Sequence, residues 1–423
     1  MDFSTIGKTL TARTGVDDLM EDLYKALHSG NPDLCQLNGG SPAFFPEISA
    51  LWQKSMENLL KDGGFDKLVG TYAHPRGDAR FIAALVSFLN ERYGWNLTER
   101  NIAITQGGQM AFFLLFNILA GKCDDGKCGE ILFPLCPDYI GYQPQSLSGK
   151  NMFRGIRPIV ETIDERTFKY RIDFDNLDIR PETNALCLSR PTNPTGNVVT
   201  DEELARLLDM ARKAGIPLMI DNAYGPPLPN ICFTKATPIW DENIILSMSL
   251  SKIGLPGTRT GIIIANEEII QAVVSTVTVS SLCPNNIGQA LITPYLEDRS
   301  IETLCREIIT PYYRKCAEST LAIIHEVMPF DIPWRVHKSE GAMFLWLRFE
   351  GLPITSQELY ERCRDKGCFV NSGHHFFFAL GDEASTWRHT QECVRISFTQ
   401  PEDIVRRGIS ILAEEVRKAY ANQ

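Results

Sequence analysis

The sequence predicts an α/β protein with a large domain, built on a mixed and mostly parallel sheet, and a smaller α+β domain. At 423 residues the chain exceeds one typical domain. Short apolar runs alternate with helical segments from about residue 100, and after about residue 300 longer helices and scattered strands replace them. We therefore expect an N-terminal segment that packs on the small domain, then the large domain, then the small domain, at residues 1–50, 51–305 and 306–423.

The strands of the large domain are predicted from six runs that are apolar almost throughout. Strands covered by helices on both faces have this composition. In chain order the runs are "NIAIT", "EILFPL", "NALCLS", "PLMIDNA", "NIILSMS" and "TGIIIAN".

One helix between these runs has well-defined ends in the sequence. In "TDEELARLLDMARKAG", Thr200 is the predicted N-cap, Glu203 completes a capping box, and Gly215 ends the helix. The spacing of apolar residues predicts one buried face, made of Leu204, Leu207, Leu208 and Ala211.

The small domain is predicted from the last third of the chain. A long helical stretch begins near residue 300, strand-like segments follow, and a helix closes the chain. These segments are "SIETLCREIITPYYRKCAESTLAIIHEVM", "WRVHKSEGAMFLWLRF", "CFVNSG", "CVRISF" and "PEDIVRRGISILAEEVRKAYA".

Composition excludes several classes of protein. The formal net charge is −10, which argues against a nucleic acid or an anionic membrane as partner. The first thirty residues are charged throughout and contain no apolar core of a signal peptide, and no apolar run is long enough to span a membrane. Twelve cysteines without C-x-x-C spacing indicate reduced thiols, a cytoplasmic location and no metal site.

Polar residues follow five of the predicted strands. In open α/β sheets, ligands bind beyond the carboxyl ends of the strands, so these residues are expected to converge. Lys252 lies at one such end, and Arg259 lies close to it in sequence. Because a lysine is costly to desolvate, its place at the end of a buried strand indicates a functional role. The segments are "TQGGQ", "PDY", "SRPTNPTGN", "DNAY" and "SLSK".

These segments resemble a known family. "RPTNPTGN", "DNAY" and "SLSKIGLPGTRTG", in this order, are similar to the fold-type I pyridoxal-phosphate (PLP) aminotransferases of class I/II, and the resemblance covers nearly the whole chain. Within the family, "LFPLCPDYIGY" and "EGAMFLWL" are especially similar to the valine–pyruvate type of bacteria. The resemblance implies transfer of an amino group between a small aliphatic amino acid, valine or alanine, and a 2-oxo acid such as pyruvate.

The resemblance also implies roles around the cofactor ring. Lys252 would form the internal Schiff base with PLP and act as the general base once substrate releases it. Asp221 would keep the pyridine nitrogen protonated, so that the ring withdraws electrons from the substrate. Asn193 and Tyr224 would hydrogen-bond the 3′ oxygen, and Tyr139 would stack on the ring.

A second set of residues is expected to bind the phosphate of PLP. The turn after the first strand opens a helix whose free N–H groups would face the anion. The resemblance implies two further phosphate ligands, the hydroxyl group of Ser249 and the guanidinium group of Arg259. The expected phosphate ligands are Gly107, Gly108, Gln109, Ser249 and Arg259.

Three more residues are expected to contact substrate or a partner subunit. Arg395, in "CVRISF", matches the arginine that binds the substrate α-carboxylate, for which a guanidinium offers two parallel donors. Gly40 and Asn193 would also border substrate, with Gly40 in the segment that closes over it. Tyr72, in "TYAHPRG", matches a tyrosine that reaches the neighbouring subunit's phosphate, which implies a homodimer with shared active sites.

Two alternatives stay open or are set aside at this stage. A PLP enzyme of the same fold that eliminates or substitutes at Cβ or Cγ, or forms a C–C bond in secondary metabolism, would use the same first steps and the same residues. A PLP-binding transcription regulator would need a basic DNA-binding domain, whereas the residues before "LNGGSP" are mildly acidic. The roles of His374, His375 and His389 are undetermined.

Overall fold

In the computed structural model, which describes residues 2–28, 30–31, 33–124, 126, 128–149 and 152–421, two large sheets and one two-stranded sheet organise the chain. The strands are β1 (Cys35–Gln36), β2 (Ile102–Thr105), β3 (Gly121–Lys122), β4 (Cys128–Phe133), β5 (Phe153–Gly155), β6 (Ile159–Thr162), β7 (Thr167–Arg171), β8 (Thr183–Ser189), β9 (Leu218–Asp221), β10 (Ile244–Ser249), β11 (Gly261–Ile264), β12 (Trp334–His337), β13 (Phe344–Phe349), β14 (Cys368–Phe369), β15 (Asn371–Ser372) and β16 (Cys393–Ser397).

Helices cover these sheets and fill most of the remaining chain. They are α1 (Thr5–Leu10), α2 (Gly15–His28), α3 (Pro46–Lys61), α4 (Gly64–Gly70), α5 (Ala79–Tyr93), α6 (Gly108–Leu119), α7 (Asp201–Ala214), α8 (Glu267–Ser281), α9 (Ile287–Glu297), α10 (Ser300–Leu304), α11 (Thr310–Val327), α12 (Ser356–Asp365), α13 (Glu383–Thr386) and α14 (Glu402–Ala421). A π-helical turn, Cys305–Ile309, joins α10 to α11. Within the described ranges, no helix is both long and apolar enough to cross a lipid bilayer.

The larger sheet has eight strands, and all six predicted runs belong to it. Its order is β2-β11-β10-β9-β8-β4-β3, with β5 beside β4. Strands β10, β9, β8, β4 and β5 run parallel, while β11 is antiparallel to both of its neighbours. Strand β2 therefore points the same way as β10. The predicted mixed, mostly parallel sheet is confirmed, and the carboxyl ends of β2, β4, β8, β9 and β10 meet at one edge.

Helix α7 forms as its sequence predicts. Thr200 and Glu203 make both hydrogen bonds of the capping box, and Gly215 ends the helix with a left-handed φ of 69°. The predicted apolar face is buried against the sheet. This helix returns the chain from β8 to β9, so it sets the parallel pairing of the strands that end in "SRPTNPTGN" and "DNAY".

The second sheet has the order β15-β16-β13-β12-β7-β6. Most of it comes from the C-terminal third of the chain, but β6 and β7 lie at residues 159–171, inside the predicted large-domain interval. Strand β7 pairs in parallel with β12. We keep the division at residues 51–305 and 306–423 as a proposal, with this hairpin attached to the second sheet.

A buried ion pair connects the second sheet with the first. Lys169 on β7 contacts the carboxylate of Glu340, and both side chains are almost fully buried. The same ammonium donates to Asn197 Oδ1 at 2.8 Å and to the Val198 carbonyl at 3.1 Å, in the loop that follows β8. The pair thereby fixes the second sheet against the loop that carries Asn193.

The N-terminal segment forms a separate two-stranded sheet with β14 and also contacts the second sheet. Strand β1 pairs in parallel with β14, and the Ser397 N–H donates to the Leu37 carbonyl at 2.7 Å. Leu37 is fully buried. These contacts lead the backbone of Asn38 and Gly40 towards the carboxyl edge of the large sheet.

Candidate active site

Lys252 lies in a short 3-10 turn, Leu250–Ile253, directly after β10. Its Nζ donates a 2.5 Å hydrogen bond to the Gly40 carbonyl and lies 5.4 Å from the centre of the Tyr224 ring. The fold thus brings together three predicted site residues from the N-terminal segment, the β9 end and the β10 end. Burial, together with the positive charge of the neighbouring Arg395, lowers the pKa of Lys252 from 10.5 to about 8.

Asp221 is the last residue of β9, beside Lys252. The Tyr142 hydroxyl donates to its Oδ2 at 2.6 Å, and the Ala223 N–H donates to its Oδ1 at 3.0 Å. Burial raises the pKa of this carboxyl, while the hydrogen bond from Tyr142 and the charge of Lys252 oppose that effect. Asp221 is thus a carboxylate held in a fixed orientation at the edge where the predicted site residues converge.

Arg395 lies in the middle of β16 and is only 2% exposed. Its Nη1 donates to Asn193 Oδ1 and its Nη2 donates to the Asn38 carbonyl, each at 2.7 Å. Both acceptors are uncharged, and among the described residues its Nε has no hydrogen-bond acceptor. Burial lowers the pKa of Arg395 to about 10, so the group remains cationic at neutral pH. A buried cation held by neutral groups favours the binding of an anion.

The turn after β2 forms a cradle of backbone. Gly107 has a left-handed φ of 85°, and a Cβ there would lie 2.3 Å from Arg259 Nη2. Gly107 is the N-cap of α6 and has no side chain that could accept a hydrogen bond. The first N–H groups of the helix, from Gly108 and Gln109, therefore receive no side-chain cap from Gly107. Ser249 lies in the same row, since it pairs with Gly261, which pairs with Thr105 at the end of β2. The five predicted phosphate ligands therefore lie in this turn or beside it.

The predicted stacking residue, Tyr139, lies in the loop after β4. A Cβ on Gly141 would lie 2.4 Å from Cε1 of the Tyr139 ring, so the glycine lets the ring lie against the backbone. The ring also makes an edge contact with Tyr142, with centroids 5.2 Å apart. Gln109 reaches this loop and donates to the Gly141 carbonyl at 3.1 Å. The loops after β2 and β4 are thus connected at the site.

Tyr72 is the predicted site residue that this single chain leaves outside the cluster. Its side chain is 85% exposed. It lines a separate cavity of about 640 Å³ between α4 and α9. The prediction that it serves a neighbouring subunit therefore needs a second copy of the chain.

The three histidines have different surroundings. His389 is buried beside Tyr170 and stacks on Trp387, with ring centroids 4.6 Å apart, so it is a core residue. Ser372 Oγ lies 2.7 Å from His374 Nδ1, and burial lowers the pKa of His374 to about 4. His375 lines a cavity of about 310 Å³ next to Asn38, close to the Arg395 end of the site.

Several residues at the site were not predicted from the sequence. Tyr142, Asn38 and Ser189 contact Asp221, Arg395 or each other, and Asp138 binds Ser189. Asp138 and Ser189 do lie in strand-end segments that the sequence singled out, but only their position after a strand pointed to them. Tyr142 lies in "LFPLCPDYIGY" and Asn38 lies in "LNGGSP", but the sequence assigned a role to neither residue.

The site fits one cofactor class. The buried lysine could bind the aldehyde of PLP, and the carboxylate beside it could bind the ring nitrogen. The glycine cradle with its guanidinium could hold the phosphate. The arginine with an unpartnered Nε could bind a substrate carboxylate. Within the described part of the chain, no group of three or more His, Cys, Asp and Glu is arranged to hold a metal ion. Fold and site together define a PLP-dependent transferase.

Comparisons with known proteins give the family. A model described as aminotransferase class I and II matches residues 150–412. Valine–pyruvate aminotransferase of Escherichia coli (strain K12) is 43% identical over 421 residues, which cover 100% of this chain and 99% of that protein. The chain belongs to the class I and II aminotransferase family, and its cofactor is pyridoxal 5′-phosphate, as the sequence predicted.

Solved structures agree with this assignment. A putative amino-acid aminotransferase from Psychrobacter arcticum 273-4 is 41% identical, with a TM-score of 0.96 over 100% of both chains. Valine–pyruvate aminotransferase from Salmonella typhimurium LT2 is 40% identical, with a TM-score of 0.87 over 96% of this chain and 100% of that one. The predicted fold type I is therefore confirmed, and the protein is an aminotransferase.

Proposed function

We propose that this aminotransferase moves an amino group between a small aliphatic amino acid, valine or alanine, and a 2-oxo acid such as pyruvate. The relatives named valine–pyruvate aminotransferase support the choice of substrates, because one is 43% identical over the full chain. The alternative outcomes, elimination, substitution or C–C bond formation, are not favoured by these relatives.

The environment of Arg395 is the single structural observation that carries the proposal. Arg395 is a buried cation with neutral partners and an unpartnered Nε, and it lies close enough to Lys252 to lower that lysine's pKa. An amino acid whose carboxylate binds this guanidinium would present its Cα to Lys252. All amino acids and 2-oxo acids share this carboxylate, so one arginine can serve both half-reactions.

Lys252 is proposed as the group that holds the cofactor and moves the proton. When bound, PLP supplies an aldehyde for the amino group and a ring that withdraws electrons from the substrate Cα. With PLP bound, the Nζ of Lys252 would take the proton from the substrate Cα and return it to C4′ of the cofactor. Its depressed pKa increases the fraction of neutral amine near neutral pH, and only the neutral amine accepts a proton.

The other residues are proposed to orient the cofactor. Asp221 pairs with the protonated ring nitrogen, and Tyr139 stacks on the ring face. Asn193 and Tyr224 donate to the 3′ oxygen, and Gly40 closes over substrate. Asn193 can act on both sides, because its Oδ1 accepts from Arg395 and its amide N–H groups remain donors. The phosphate is proposed to lie in the cradle of Gly107, Gly108, Gln109, Ser249 and Arg259.

We propose further that the enzyme is a homodimer with shared active sites. Tyr72 is exposed, and apolar side chains next to it are also exposed, with Val69 at 56% and Leu60 at 57%. Exposed apolar residues grouped on neighbouring helices favour a protein partner, and a second copy would place Tyr72 at the other subunit's cradle. The cytoplasmic location remains a prediction from the thiol content.

One experiment tests the proposed reaction directly. Purified holoenzyme is incubated with a panel of amino acids and 2-oxo acids, and the products are identified by mass. Valine with pyruvate should give alanine and 2-oxoisovalerate, and the Lys252→Ala variant should retain PLP but lose turnover. Lys213→Ala is the matched control, because that lysine is exposed on α7. Normal turnover by Lys252→Ala, or products of elimination, would contradict the proposal.

A further inference from the structure

A buried chain of oxygen atoms leads from Asp221 to a second carboxyl group. Tyr142 donates to Asp221 Oδ2 at 2.6 Å, and the Tyr142 oxygen lies 3.3 Å from Ser189 Oγ. Ser189 Oγ in turn contacts Asp138 Oδ1. Asp138, which follows β4, is 1% exposed. Two carboxyl groups are therefore joined by two hydroxyl groups inside the protein.

The number of protons shared by these four side chains decides their total charge. Three oxygen–oxygen contacts separate the two carboxyl groups, and each hydrogen bond requires one proton. The hydroxyl groups of Tyr142 and Ser189 supply two protons. If both carboxyl groups were ionised, one contact would join two oxygen atoms with no proton between them. A third proton, on Asp138, completes the chain so that every donor points towards Asp221.

The surroundings of Asp138 favour the un-ionised acid. Its remaining hydrogen bonds come from the N–H groups of Ser189 at 3.1 Å and Tyr139 at 2.7 Å, which are uncharged donors. Burial, with a smaller contribution from the nearby Asp221, raises the pKa of Asp138 to about 7, although the hydrogen bonds from Ser189 and Tyr139 oppose this shift.

Within the described part of the chain, no lysine, arginine or histidine forms an ion pair or a hydrogen bond with Asp138. The segment 373–380 contributes the Phe376 carbonyl, which accepts from the Asp138 N–H at 3.1 Å. Burial raises the pKa of each thiol and phenol that faces it, so these groups stay neutral near pH 7. The titratable groups that face Asp138 are Cys136 beside it, Cys187 on β8, Tyr142 in its own loop and Asp221 on β9.

Aromatic rings keep water away from the middle of this chain of hydrogen bonds. The Tyr142 ring is 1% exposed and lies within 7 Å of five other rings. In such an environment a second buried charge is costly, whereas a complete chain of hydrogen bonds strengthens each member. The rings are Phe112, Phe116, Phe133, Tyr139 and Phe378.

We propose that Asp138 is a positioning residue that carries a proton in the folded enzyme and, through Ser189 and Tyr142, confines the negative charge of the chain to Asp221. This inference rests on the proposed pairing of Asp221 with the ring nitrogen of PLP. A single charge at Asp221 attracts the ring proton, and the donors directed at it hold the carboxylate in place. Asp138 itself touches neither cofactor nor substrate.

Infrared spectroscopy of the protein without cofactor tests the proton on Asp138. At pH 6 the wild type should show the carbonyl band of an un-ionised buried carboxylic acid, and the band should fade near pH 7. Asp138→Asn should remove it, while Asp221→Asn should keep it. Absence of the band from the wild type at pH 6, or its persistence in Asp138→Asn, would overturn the proposal.

Nuclear magnetic resonance of holoenzyme with 15N-labelled PLP tests the positioning role. Asp138→Asn keeps a donor towards Ser189, so the ring nitrogen should stay protonated to the same pH as in the wild type and kcat should change by no more than about threefold. Tyr142→Phe removes the donor to Asp221, and its ring nitrogen should lose the proton at a lower pH. A shift in Asp138→Asn as large as that in Tyr142→Phe would contradict the single-charge arrangement.

These outcomes are separate from those for the proposed function. An infrared band that behaves as expected in a protein that transfers no amino group would leave the proton on Asp138 in place and contradict the proposed function alone. Transamination by a wild type without the band would contradict the inference alone.

Discussion

Arg395 and Asn193 share a 2.7 Å hydrogen bond that joins the two sheets at the active site. Arg395 belongs to β16 of the second sheet, and Asn193 lies in the loop that follows β8 of the first. The residue proposed to bind the substrate carboxylate and a residue proposed to bind the cofactor oxygen are therefore parts of one contact. Substrate binding at Arg395 is expected to be sensitive to small changes in this geometry.

Arg395→Lys tests whether the guanidinium binds the substrate carboxylate. Lysine replaces two parallel donors by a point charge, and charge-assisted hydrogen bonds contribute roughly 1.5–3 kcal/mol each. We expect kcat/KM for amino acids to fall by about tenfold to a hundredfold or more, with PLP content unchanged. Amines without a carboxylate should lose far less.

Arg154→Lys is the matched control for that substitution. Arg154 is also largely buried, but it pairs with Glu130 at 2.7 Å at the β4–β5 edge of the large sheet. Its replacement should leave the ratio of rates for amino acids and amines unchanged. Equal losses on both substrate types in Arg395→Lys would mean that Arg395 is structural.

Gly107→Ala tests the phosphate cradle. Alanine at a φ of 85° is strained, and its Cβ would displace the Arg259 guanidinium. Loss of one charge-assisted contact should weaken PLP binding by about tenfold or more, measured by titration of the protein without cofactor. Gly94→Ala has comparable strain, with a φ of 67°, but meets no atom within 4 Å, so it should lower stability and leave PLP affinity unchanged. Equal PLP affinities in the two variants would argue against the cradle.

Much of the fold could be predicted from the sequence because its signals are local. The six strands of the large sheet are continuous apolar runs, and the ends of α7 are set by Thr200 and Gly215 within one helix. The hairpin β6–β7 had no such signal. Strand β6 is partly exposed, β7 contains a buried lysine, and the partner β12 lies more than 160 positions later, with Val336 opposite Thr167. Long-range pairing of this kind depends on the whole fold.

The site shows the same division. Lys252, Asp221 and Arg395 could be predicted because each lies in a strand-end or strand motif typical of the family. The hydrogen bond from Tyr142 to Asp221 joins residues 79 positions apart, and the one from Lys252 to Gly40 joins residues 212 apart. The resemblance pointed to Gly40 but not to its contact with Lys252, and Tyr142 was not predicted at all. The chemistry was therefore predictable, and the contacts that tune it required the structure.

Lys252→Met tests the electrostatic state of the site without cofactor. Burial lowers the pKa of Lys252 from 10.5 to about 8, which corresponds to about 3 kcal/mol of destabilisation while the lysine is protonated in both states. Replacement also removes the hydrogen bond to Gly40, worth about 1 kcal/mol. The cofactor-free variant should therefore be more stable than the wild type by about 2 kcal/mol at pH 7.

The pH dependence gives the sign of that effect. Below pH 8 both folded and unfolded states carry the proton, so the penalty in the wild type is complete. As the pH rises from 8 towards 10.5, the folded state releases its proton first and the advantage of Lys252→Met should disappear. Denaturant unfolding at several pH values measures this. Lys213→Met, at an exposed site, should change stability by less than about 0.5 kcal/mol at every pH.

Mixed dimers test whether Tyr72 serves the neighbouring subunit. Tyr72→Ala and Lys252→Ala should each have low activity at limiting PLP. If Tyr72 acts across the interface, a hybrid of the two has one site with both changes and one site with neither. Co-expression of the two variants with different tags should then restore activity, to about a quarter of the wild-type value if the subunits assort at random.

The matched control for the hybrid combines Lys252→Ala with Arg395→Lys. The fold places Arg395 close enough to Lys252 of the same chain to lower the pKa of the lysine, so both residues belong to one site. In that hybrid each site carries one change, and activity should stay low. Recovery in this control would mean that Arg395 itself acts across the interface, so that complementation would not report on Tyr72. No recovery with Tyr72→Ala would mean that the site is contained in one subunit, and a fully active monomer in light scattering would lead to the same conclusion. The exposed Tyr72 would then be a surface residue without a role in binding PLP.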